Sequence, residues 1–542
     1  MNRSNFIFIL ILIACLPACS SFSKQEPPAI ANPSISTLPP LHQEWWNKAI
    51  FYEIFVRSFF DSNADGIGDF NGITAKLDYI QNLGINAIWL MPINPSPTYH
   101  GYDVIDYYNV NPQYGTMDDF KRLLSAAHAR GMRVIIDLVL NHTSSQNPWF
   151  VDANNDPQSP YRDWFIWSNT DPGYAGPLGN AWHAGKHGYY YGIFGDSMPD
   201  FNYKNPAVTR EMEKVTDFWL KVVGVDGFRL DAVKYLVEDG QKQENTTLTH
   251  AWLKGFFTSY KSQNPQAYTI GEVYGADAAL AKTYTGDQVD QIFEFELASG
   301  MVNSTAGEAN SGINSALTFV LEDLPGGQFA TFLTNHDQNR VMSDLNGSLQ
   351  KARVAAALLF TTPGTPYIYY GEEIGMQGKK PDEDIRLPMQ WSADANAGFT
   401  SGTAWRAPAN NYMQANVATE SNDPNSLLSF YRNLIILRKQ HPALQLGSLS
   451  MMTTTNPGVY AVLRTSDTDT ILVLINLTKN IILDYSLGAK GLPVSDGKYA
   501  LKALLGAEQP SDLTIHKNII EGYKPLPELS AYGVHIFELT RK

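Results

Sequence analysis

From Trp45 to about Leu444, short runs of β-branched and aromatic residues alternate with stretches of helical periodicity. This alternation is typical of a parallel sheet with crossover helices, and it leaves few topologies open. Strands are predicted at Ile50–Val56, Ala87–Pro92, Arg133–Leu140, Gly227–Asp231, Tyr268–Glu272, Gln291–Phe295, Ala330–Asn335 and Pro366–Tyr370. Helices fit between them, for instance Met117–Arg130 and Val208–Val223. Eight such units predict an α/β fold, a (β/α)8 TIM barrel over residues 45–444, with its site at the C-terminal strand ends.

Two regions do not fit a plain barrel. Residues 143–206 follow the third predicted strand and are rich in Trp, Tyr, Gly and Pro, which predicts an inserted subdomain rather than a structureless loop. Its tryptophans are expected mainly in the core of that subdomain, although sugar platforms are an alternative; they are Trp149, Trp164, Trp167 and Trp182. Strand patterns such as Gly458–Arg464 and Thr470–Leu477 predict an all-β C-terminal domain, a β-sandwich over residues 445–542.

The N-terminus has the pattern of an export signal. Arg3 precedes the apolar run Phe6–Leu16, which is shorter than the about 20 residues of a membrane-spanning helix. Residues 1–18 are therefore predicted to be a signal peptide, and the residues ending at Cys19 resemble a bacterial lipoprotein box. An ordinary signal peptide is the alternative. Residues 19–44 are predicted to be a lipidated Cys and a Pro-rich tether.

Cysteine usage supports the same reading. Both cysteines, Cys15 and Cys19, lie in this first segment, so the exported chain has no internal disulfide. Ser20 follows Cys19, which favours the outer membrane or the periplasmic face of the bacterial cell envelope. Membrane contact is expected only through the lipid anchor.

Charge and composition exclude other partners. The formal net charge of −14 argues against nucleic acid, which is bound through clustered Lys and Arg. The apolar fraction of 44% is that of a globular protein, and we expect a monomer. No organic cofactor is expected, because no Gly-rich loop stands between a strand and a helix to hold a phosphate.

Polar residues cluster where the predicted strands end. They are Asp137, Asn141, His142, Arg229, Asp231, Glu272, Asn335, His336 and Asp337. Cleavage of a glycosidic bond with retention needs two carboxyl groups roughly 5 Å apart. Neighbouring strands lie about 4.8 Å apart, so acids that end the fourth and fifth strands, Asp231 and Glu272, have about the right separation.

These motifs, in this order, resemble those of glycoside hydrolase family 13, the α-amylase family, from Trp45 onward. The matching segments are Asp137–His142, Gly227–Tyr235, Gly271–Tyr274 and Phe332–Asp337. The resemblance implies that Asp231 is the nucleophile, Glu272 the general acid/base, and Asp337 the acid that binds sugar hydroxyls and stabilises the transition state. It implies that Tyr102 stacks on the attacked sugar. The other residues expected around that sugar are His100, Asp103, His142, Arg229 and His336.

A calcium site is expected in the loop after the first strand. Oxygen ligands alternate along it, at Asp61, Asn63, Asp65, the Ile67 carbonyl and Asp69. The loop begins like an EF-hand loop, but Gly72 stands where the closing Glu belongs. It resembles the structural Ca²⁺ loop of many family members. An Asx-rich turn without metal is the alternative.

The resemblance also bears on substrate. Ala232 after the nucleophile favours α-1,4 bonds, and Lys234 matches a residue that contacts sugars on the leaving-group side in amylases. The segments Met198–Asn202, Arg386–Trp391 and Ala397–Thr400 resemble the group intermediate between oligo-1,6-glucosidases and neopullulanases. An α-amylase acting on starch or maltooligosaccharides is favoured over a 4-α-glucanotransferase or an exo-acting α-glucosidase. A non-catalytic glycan-capture lipoprotein is the alternative from a different class.

Overall fold

The computed structural model describes residues 44–324, 326–506 and 509–542. The predicted signal peptide, Cys19 and all of the tether except Glu44 lie outside these residues, so export and lipidation stay predictions. Over the described ranges, no helix combines the length and apolar character needed to cross a membrane.

Eight parallel strands close into a barrel, each pairing with the next along the chain and the last with the first. They are β1 (Phe51–Ile54), β2 (Ala87–Leu90), β3 (Arg133–Leu138), β4 (Gly227–Leu230), β5 (Tyr268–Gly271), β6 (Gln291–Phe293), β7 (Phe329–Thr331) and β8 (Thr365–Tyr369). The predicted barrel is confirmed. Every predicted strand runs past the observed end, because the residues at the mouth leave the hydrogen-bonded sheet to form the site.

Helices surround the barrel. The long ones are Phe70–Leu83, Met117–Ala129, Pro206–Asp217, Thr247–Gln263, Phe295–Gly307, Ser311–Asp323, Leu349–Thr361 and Leu427–Gln440. Short helices are Val56–Phe59, Pro148–Asn155, Ala278–Lys282, Val341–Asp344, Asp382–Ile385, Val417–Glu420 and Pro442–Gln445, with a π-helical turn at Phe218–Val223 and 3-10 turns at Trp45–Lys48, Arg162–Trp164, Val233–Tyr235, Glu372–Ile374 and Ala395–Gly398.

Local chemistry explains where the two helices predicted by name begin. The helix at Met117 starts at the predicted residue because Thr116 and Asp119 form a reciprocal capping box. The helix predicted from Val208 starts at Pro206 instead, because Asn205 caps it and proline fits its first turn. The π-helical turn continues it to Val223, the predicted end.

Alternation along the strands separates two layers of the core. On β1, Tyr52 and Ile54 pack in the layer between strands and helices, whereas Phe51 packs inside the barrel. Side chains alternate with a period of two, so Glu53 also faces the interior. The same period places Asp137 of β3 and Arg229 of β4 on the inner face, where they are paired in register.

The insertion after β3 contains the helix Pro148–Asn155 and five short strands. The strands are Trp167–Ser168, Ala175–Gly176, Gly179–Asn180, Trp182–Gly185 and Gly188–Tyr191. Its tryptophans serve mainly as core, as expected: Trp149 packs against Trp164 at 5.1 Å, and Trp167 stacks on Phe150 at 5.8 Å. Trp182 packs with Tyr191 in a small separate core.

The C-terminal part is all-β. Its strands are β9 (Ser448–Met451), β10 (Thr453–Thr454), β11 (Val459–Thr465), β12 (Thr470–Asn476), β13 (Leu487–Ala489), β14 (Gly497–Leu505), β15 (Leu513–Ile515), β16 (Ile520–Tyr523) and β17 (Val534–Arg541). Six strands form one sheet in the order β9-β11-β12-β17-β14-β15, and β10-β13-β16 form another. Both sheets contribute to one apolar core, while the other face of the larger sheet packs in the same core as the barrel helices.

Candidate active site

One buried guanidinium joins the acids at the barrel mouth. Arg229 Nη1 donates to Asp137 Oδ1 at 2.7 Å and to Asp231 Oδ1 at 2.5 Å. Its Nη2 donates to Glu272 Oε2 at 2.7 Å. The Arg229 guanidinium carbon also lies 5.5 Å from the centre of the Trp89 ring, within reach of a cation–π contact. A single residue therefore sets the relative positions of three carboxyls.

The barrel register brings Asp231 and Glu272 side by side. Leu230 and Gly271 are paired across β4 and β5, and the residue that follows each of them is one of the two acids. Ala232 then adopts a left-handed conformation with φ +49°, a cost of about 1 kcal/mol for a residue with a side chain. This turn directs the Ala232 N–H to Glu272 Oε2 at 3.1 Å. The backbone after Asp231 thus holds the second acid.

The single positive charge of Arg229 does not balance the three carboxyls that it binds. Burial raises the pKa of both Asp231 and Glu272, and neighbouring carboxylates add to the rise, while the Arg229 guanidinium opposes it. Burial raises the pKa of Asp137 in the same way. One positive charge cannot balance three carboxylates out of water, so the cluster favours keeping one acid protonated. An acid and a base can therefore coexist here.

A second cluster surrounds His336. Its Nδ1 lies 2.6 Å from Glu53 Oε1, and its Nε2 lies 2.6 Å from the Tyr102 hydroxyl and 3.2 Å from Asp337 Oδ2. The Tyr102 ring stacks on the imidazole at 5.7 Å. Arg386 Nη2 donates to Asp337 Oδ1 at 2.8 Å, so Asp337 is held from two sides. Asp337 keeps 40% of its side chain exposed.

This cluster carries fixed charges. Burial opposes a charged His336, but the carboxylates of Asp337 and Glu53 overcome it and raise the His336 pKa to about 9. Burial also opposes the ionised form of Asp337, yet His336 and Arg386 hold its pKa well below the usual range. At neutral pH, Asp337 is therefore a carboxylate beside an imidazolium.

Sequence reasoning missed three members of these clusters. Trp89 donates from Nε1 to Asp137 Oδ2 at 3.0 Å, and Glu53 and Arg386 hold His336 and Asp337. Glu53 had a detectable signal, since a charged residue in a strand that is buried on both faces is costly unless paired. The sequence contains no signal that Arg386 contacts Asp337, because Arg386 lies in a distant segment beyond β8.

The remaining predicted sugar-binding residues lie on loops around the two clusters. His142 is buried, and burial lowers its pKa to about 3, so it is neutral; its Nε2 has no hydrogen-bond partner among the described residues. His100 accepts from the Tyr102 N–H at 3.1 Å and stacks on its ring. Asp103 instead accepts from the Ser96 hydroxyl at 2.5 Å, within its own loop. A sugar contact of Asp103 stays a prediction.

Lys234 lies in the 3-10 turn after β4 and is mostly buried. Its Nζ is 2.8 Å from Glu244 Oε2, and it lies over the Tyr235 ring at 5.0 Å. Burial opposes its charge, but Glu244 raises the Lys234 pKa above its usual value. A contact of Lys234 with sugars on the leaving-group side stays a prediction.

The predicted calcium loop is built from successive Asx turns. Asp61 Oδ1 accepts from the Asn63 N–H, Asn63 Oδ1 from that of Asp65, and Asp65 Oδ1 from that of Ile67, at 2.8–2.9 Å. Asp69 caps the helix Phe70–Leu83. The donor set consists of oxygens, which suits a hard cation such as Ca²⁺. In the described part of the chain, however, no three His, Cys, Asp or Glu side chains are close enough together to hold a metal.

A (β/α)8 barrel with two carboxyls joined by one guanidinium at its mouth defines a class of protein, the enzymes that cleave glycosidic bonds with a pair of acids. Residues 53–447 match the model of the alpha amylase catalytic domain. The chain belongs to the α-amylase family and is a glycoside hydrolase of that family.

Individual relatives agree with this placement. Alpha-amylase 3 of Dictyoglomus thermophilum is 42% identical over 444 residues, covering 81% of this chain and 86% of that protein. An oligo-1,6-glucosidase of Parageobacillus thermoglucosidasius is 33% identical over 519 residues, covering 81% and 91%. The crystal structure of the alpha-amylase from H.orenii matches with a TM-score of 0.79 at 37% identity, covering 91% of this chain and 100% of that chain.

Proposed function

We propose that this enzyme is an α-amylase that hydrolyses α-1,4-glucosidic bonds of starch and maltooligosaccharides with retention of configuration. The observation that carries the proposal is the binding of Asp231 and Glu272 to the two terminal nitrogens of Arg229. Two carboxyls fixed to one planar group at the ends of neighbouring strands have the close spacing that retention requires.

In this mechanism Asp231 attacks the anomeric carbon, while Glu272 gives its proton to the departing glycosidic oxygen. Water then enters, Glu272 takes one of its protons, and the hydroxyl displaces Asp231. Arg229 favours the ionised form of Asp231, and burial together with the neighbouring carboxylates favours the protonated Glu272 of the first step. Asp337 binds hydroxyls of the attacked sugar, and the neutral His142 offers another hydroxyl its Nε2, which has no partner among the residues that the structure describes.

Two residues support the α-1,4 preference. Ala232 follows the nucleophile, at a position where its small side chain is the one that the resemblance associates with α-1,4 bonds. Lys234, fixed by Glu244, supplies a hydrogen-bond donor on the leaving-group side. The relative named alpha-amylase is 42% identical to this chain and the relative named oligo-1,6-glucosidase is 33% identical. The higher identity of the former supports the proposed preference for α-1,4 bonds.

The experiment is a time course of the purified protein without residues 1–43, with maltoheptaose as substrate and products resolved by chain length. Only shorter maltooligosaccharides are expected from the start, with maltose and maltotriose among the first products. Early chains longer than the substrate would instead identify a 4-α-glucanotransferase, and glucose alone an exo-acting α-glucosidase. Binding without any cleavage would favour the glycan-capture protein and contradict the proposal.

We also propose that the Asp61–Asp69 loop binds a structural Ca²⁺. Its Asx turns arrange side-chain oxygens at alternating positions, and it is tied to a second segment through the Thr400 hydroxyl, which donates to Asp61 Oδ2 at 2.5 Å. Gly66 has φ +91°, and a side chain there would meet the Thr403 carbonyl, so the loop is closely fitted. The ion takes no part in bond cleavage; it would stabilise the fold.

Chelation tests this proposal. Removal of Ca²⁺ by exhaustive dialysis against a chelator is expected to lower the Tm by about 3 °C, the effect of losing a ligand held at a hundred times its Kd in a protein of this size. Added Ca²⁺ should restore the Tm more fully than Mg²⁺, which prefers a smaller octahedral site. The variant Asp61→Asn is the control and should show a smaller chelator effect. An unchanged wild-type Tm would contradict the proposal.

A further inference from the structure

Glu53 is a buried charged residue inside the barrel. It lies in the middle of β1, faces the interior and is 2% exposed. A carboxylate in such a place is costly unless a charged or hydrogen-bonding partner compensates for the loss of water. The compensation comes from His336, whose Nδ1 is 2.6 Å from Glu53 Oε1.

This contact determines where the protons of His336 lie. An ionised carboxylate only accepts hydrogen bonds, so Nδ1 carries a proton and donates it to Glu53. On the other side of the ring, Nε2 faces the carboxylate of Asp337 at 3.2 Å, which is also an acceptor. The imidazole therefore stands between two carboxylates and carries a proton on each nitrogen.

We propose that Glu53 is a positioning residue of the active site, which keeps His336 charged and directs its Nε2 toward Asp337 and Tyr102. The inference rests on the proposed function, in which Asp337 binds sugar hydroxyls. Through His336, Glu53 fixes both the Asp337 carboxylate and the Tyr102 ring that stacks on the imidazole. Glu53 itself need not touch the substrate.

Other charged groups around the pair have partners of their own. Those that face His336 and Glu53 from the surrounding elements are Tyr102, Asp137, Arg229, Asp337, Glu372 and Arg386. Arg229 binds three acids, and Arg386 binds Asp337 and Asp382. Burial raises the pKa of Glu372 well above its usual value, so Glu372 stays neutral. The β8 tyrosines, Tyr367 and Tyr369, stay neutral because burial raises their pKa well above the usual value. Loss of the Glu53 charge is therefore expected to change mainly the pKa of His336.

The direct test is an NMR titration of protein labelled with ¹⁵N at its 11 histidines, with the His336 signal assigned as the one missing from His336→Gln. The wild-type ring is expected to stay doubly protonated until about pH 9. In Glu53→Gln, which keeps the size and an acceptor oxygen but loses the charge, the titration should move down by about one to three pH units. A wild-type His336 that is neutral at pH 7, or an unshifted variant, would overturn the inference.

Activity supplies a second readout and a control. The ratio of kcat/KM at pH 6 to that at pH 8 on maltoheptaose should rise about tenfold in Glu53→Gln, because the imidazolium is lost at lower pH. Glu373→Gln removes an equally buried carboxyl that binds the Tyr52 hydroxyl instead, and it should leave the ratio and the His336 titration unchanged. An inactive wild type would refute the proposed function, while the NMR titration would still decide the role of Glu53.

Discussion

Replacing Asp231 by asparagine is expected to lower kcat on maltoheptaose by about 10⁴-fold while the affinity for maltooligosaccharides changes little. Asparagine has the same shape, and its oxygen can still accept from Arg229 Nη1, so the site should keep its structure. What is lost is the nucleophilic oxygen, without which no glycosyl–enzyme bond forms. Stopped product assays and isothermal titration calorimetry measure the two effects separately.

A matched control exists at the other end of the same strand. Asp226 precedes β4, is buried and binds Arg133 Nη1 at 2.7 Å, far along the strand from the mouth. Asp226→Asn should leave kcat within a few-fold and affect mainly stability. If Asp231→Asn keeps more than about a hundredth of wild-type kcat, another group forms the covalent bond and the assignment of Asp231 is wrong.

The second large effect concerns Arg229. Arg229→Leu leaves Asp137, Asp231 and Glu272 buried without their common cation, and removal of one partner from a buried ion pair typically costs about 3–5 kcal/mol. The free energy of unfolding should fall by that amount at pH 8. Catalysis should fall with it, because nothing then holds the two acids at their spacing. Chemical denaturation at several pH values measures the first effect.

The pH dependence of this loss has a definite sign. Without Arg229 the three carboxyls have folded pKa values raised by burial, so they are neutral and tolerated at low pH. They destabilise the folded state as the pH rises through those raised values. The deficit in unfolding free energy should therefore be larger at pH 8 than at pH 5. Equal deficits at both values would show that loss of Arg229 does not raise the pKa of these acids, because the folded variant would then bind no more protons than the wild type.

The control for Arg229 is Arg133→Leu. Arg133 lies at the start of β3, half-exposed, and pairs with Asp226. Asp226 is buried but keeps its contacts with His128 Nε2 and the Val134 N–H, so removing the half-exposed Arg133 should cost about 1 kcal/mol or less. If Arg133→Leu lowered the free energy of unfolding as much as Arg229→Leu does, burial would not explain why breaking the Arg229 cluster is costly.

The barrel was predictable because buried parallel strands leave a strong pattern in the sequence. Runs such as those of β2 and β3 are apolar and bounded by helical periodicity, so the pattern of the sequence predicts that these strands exist. The pattern does not predict where the strands end. The chain leaves the sheet before Leu140 and before Asn335. There the Leu140 carbonyl accepts from the Tyr203 hydroxyl, and Asn335 Oδ1 accepts from the Asp337 N–H.

The active site was predictable to the extent that its residues follow strands directly. Asp231 and Glu272 do, and the structure places them on one guanidinium. Arg386 reaches Asp337 from a distant segment, a tertiary contact that no local pattern encodes. Asp103, in contrast, was singled out next to Tyr102 on a short motif, and the structure commits one of its oxygens to its own loop.

Glu53 illustrates a signal that was present but unused. A carboxylate between Tyr52 and Ile54, in a strand without exposed positions, needs a partner inside the barrel. The sequence cannot say which partner, because that depends on how eight strands converge. Only the closed barrel shows that the partner is His336, from the loop after β7.

The most direct test of the account is to trap the covalent intermediate. A fluorosugar α-glucosyl fluoride, whose glycosyl–enzyme hydrolyses slowly, is incubated with the wild-type protein, which is then digested and analysed by mass spectrometry. One glucosyl adduct per chain is expected, on the carboxyl of Asp231, and none in Asp231→Asn. An adduct on Glu272 or Asp337, or an enzyme that cleaves maltoheptaose without any adduct, would contradict the central claim.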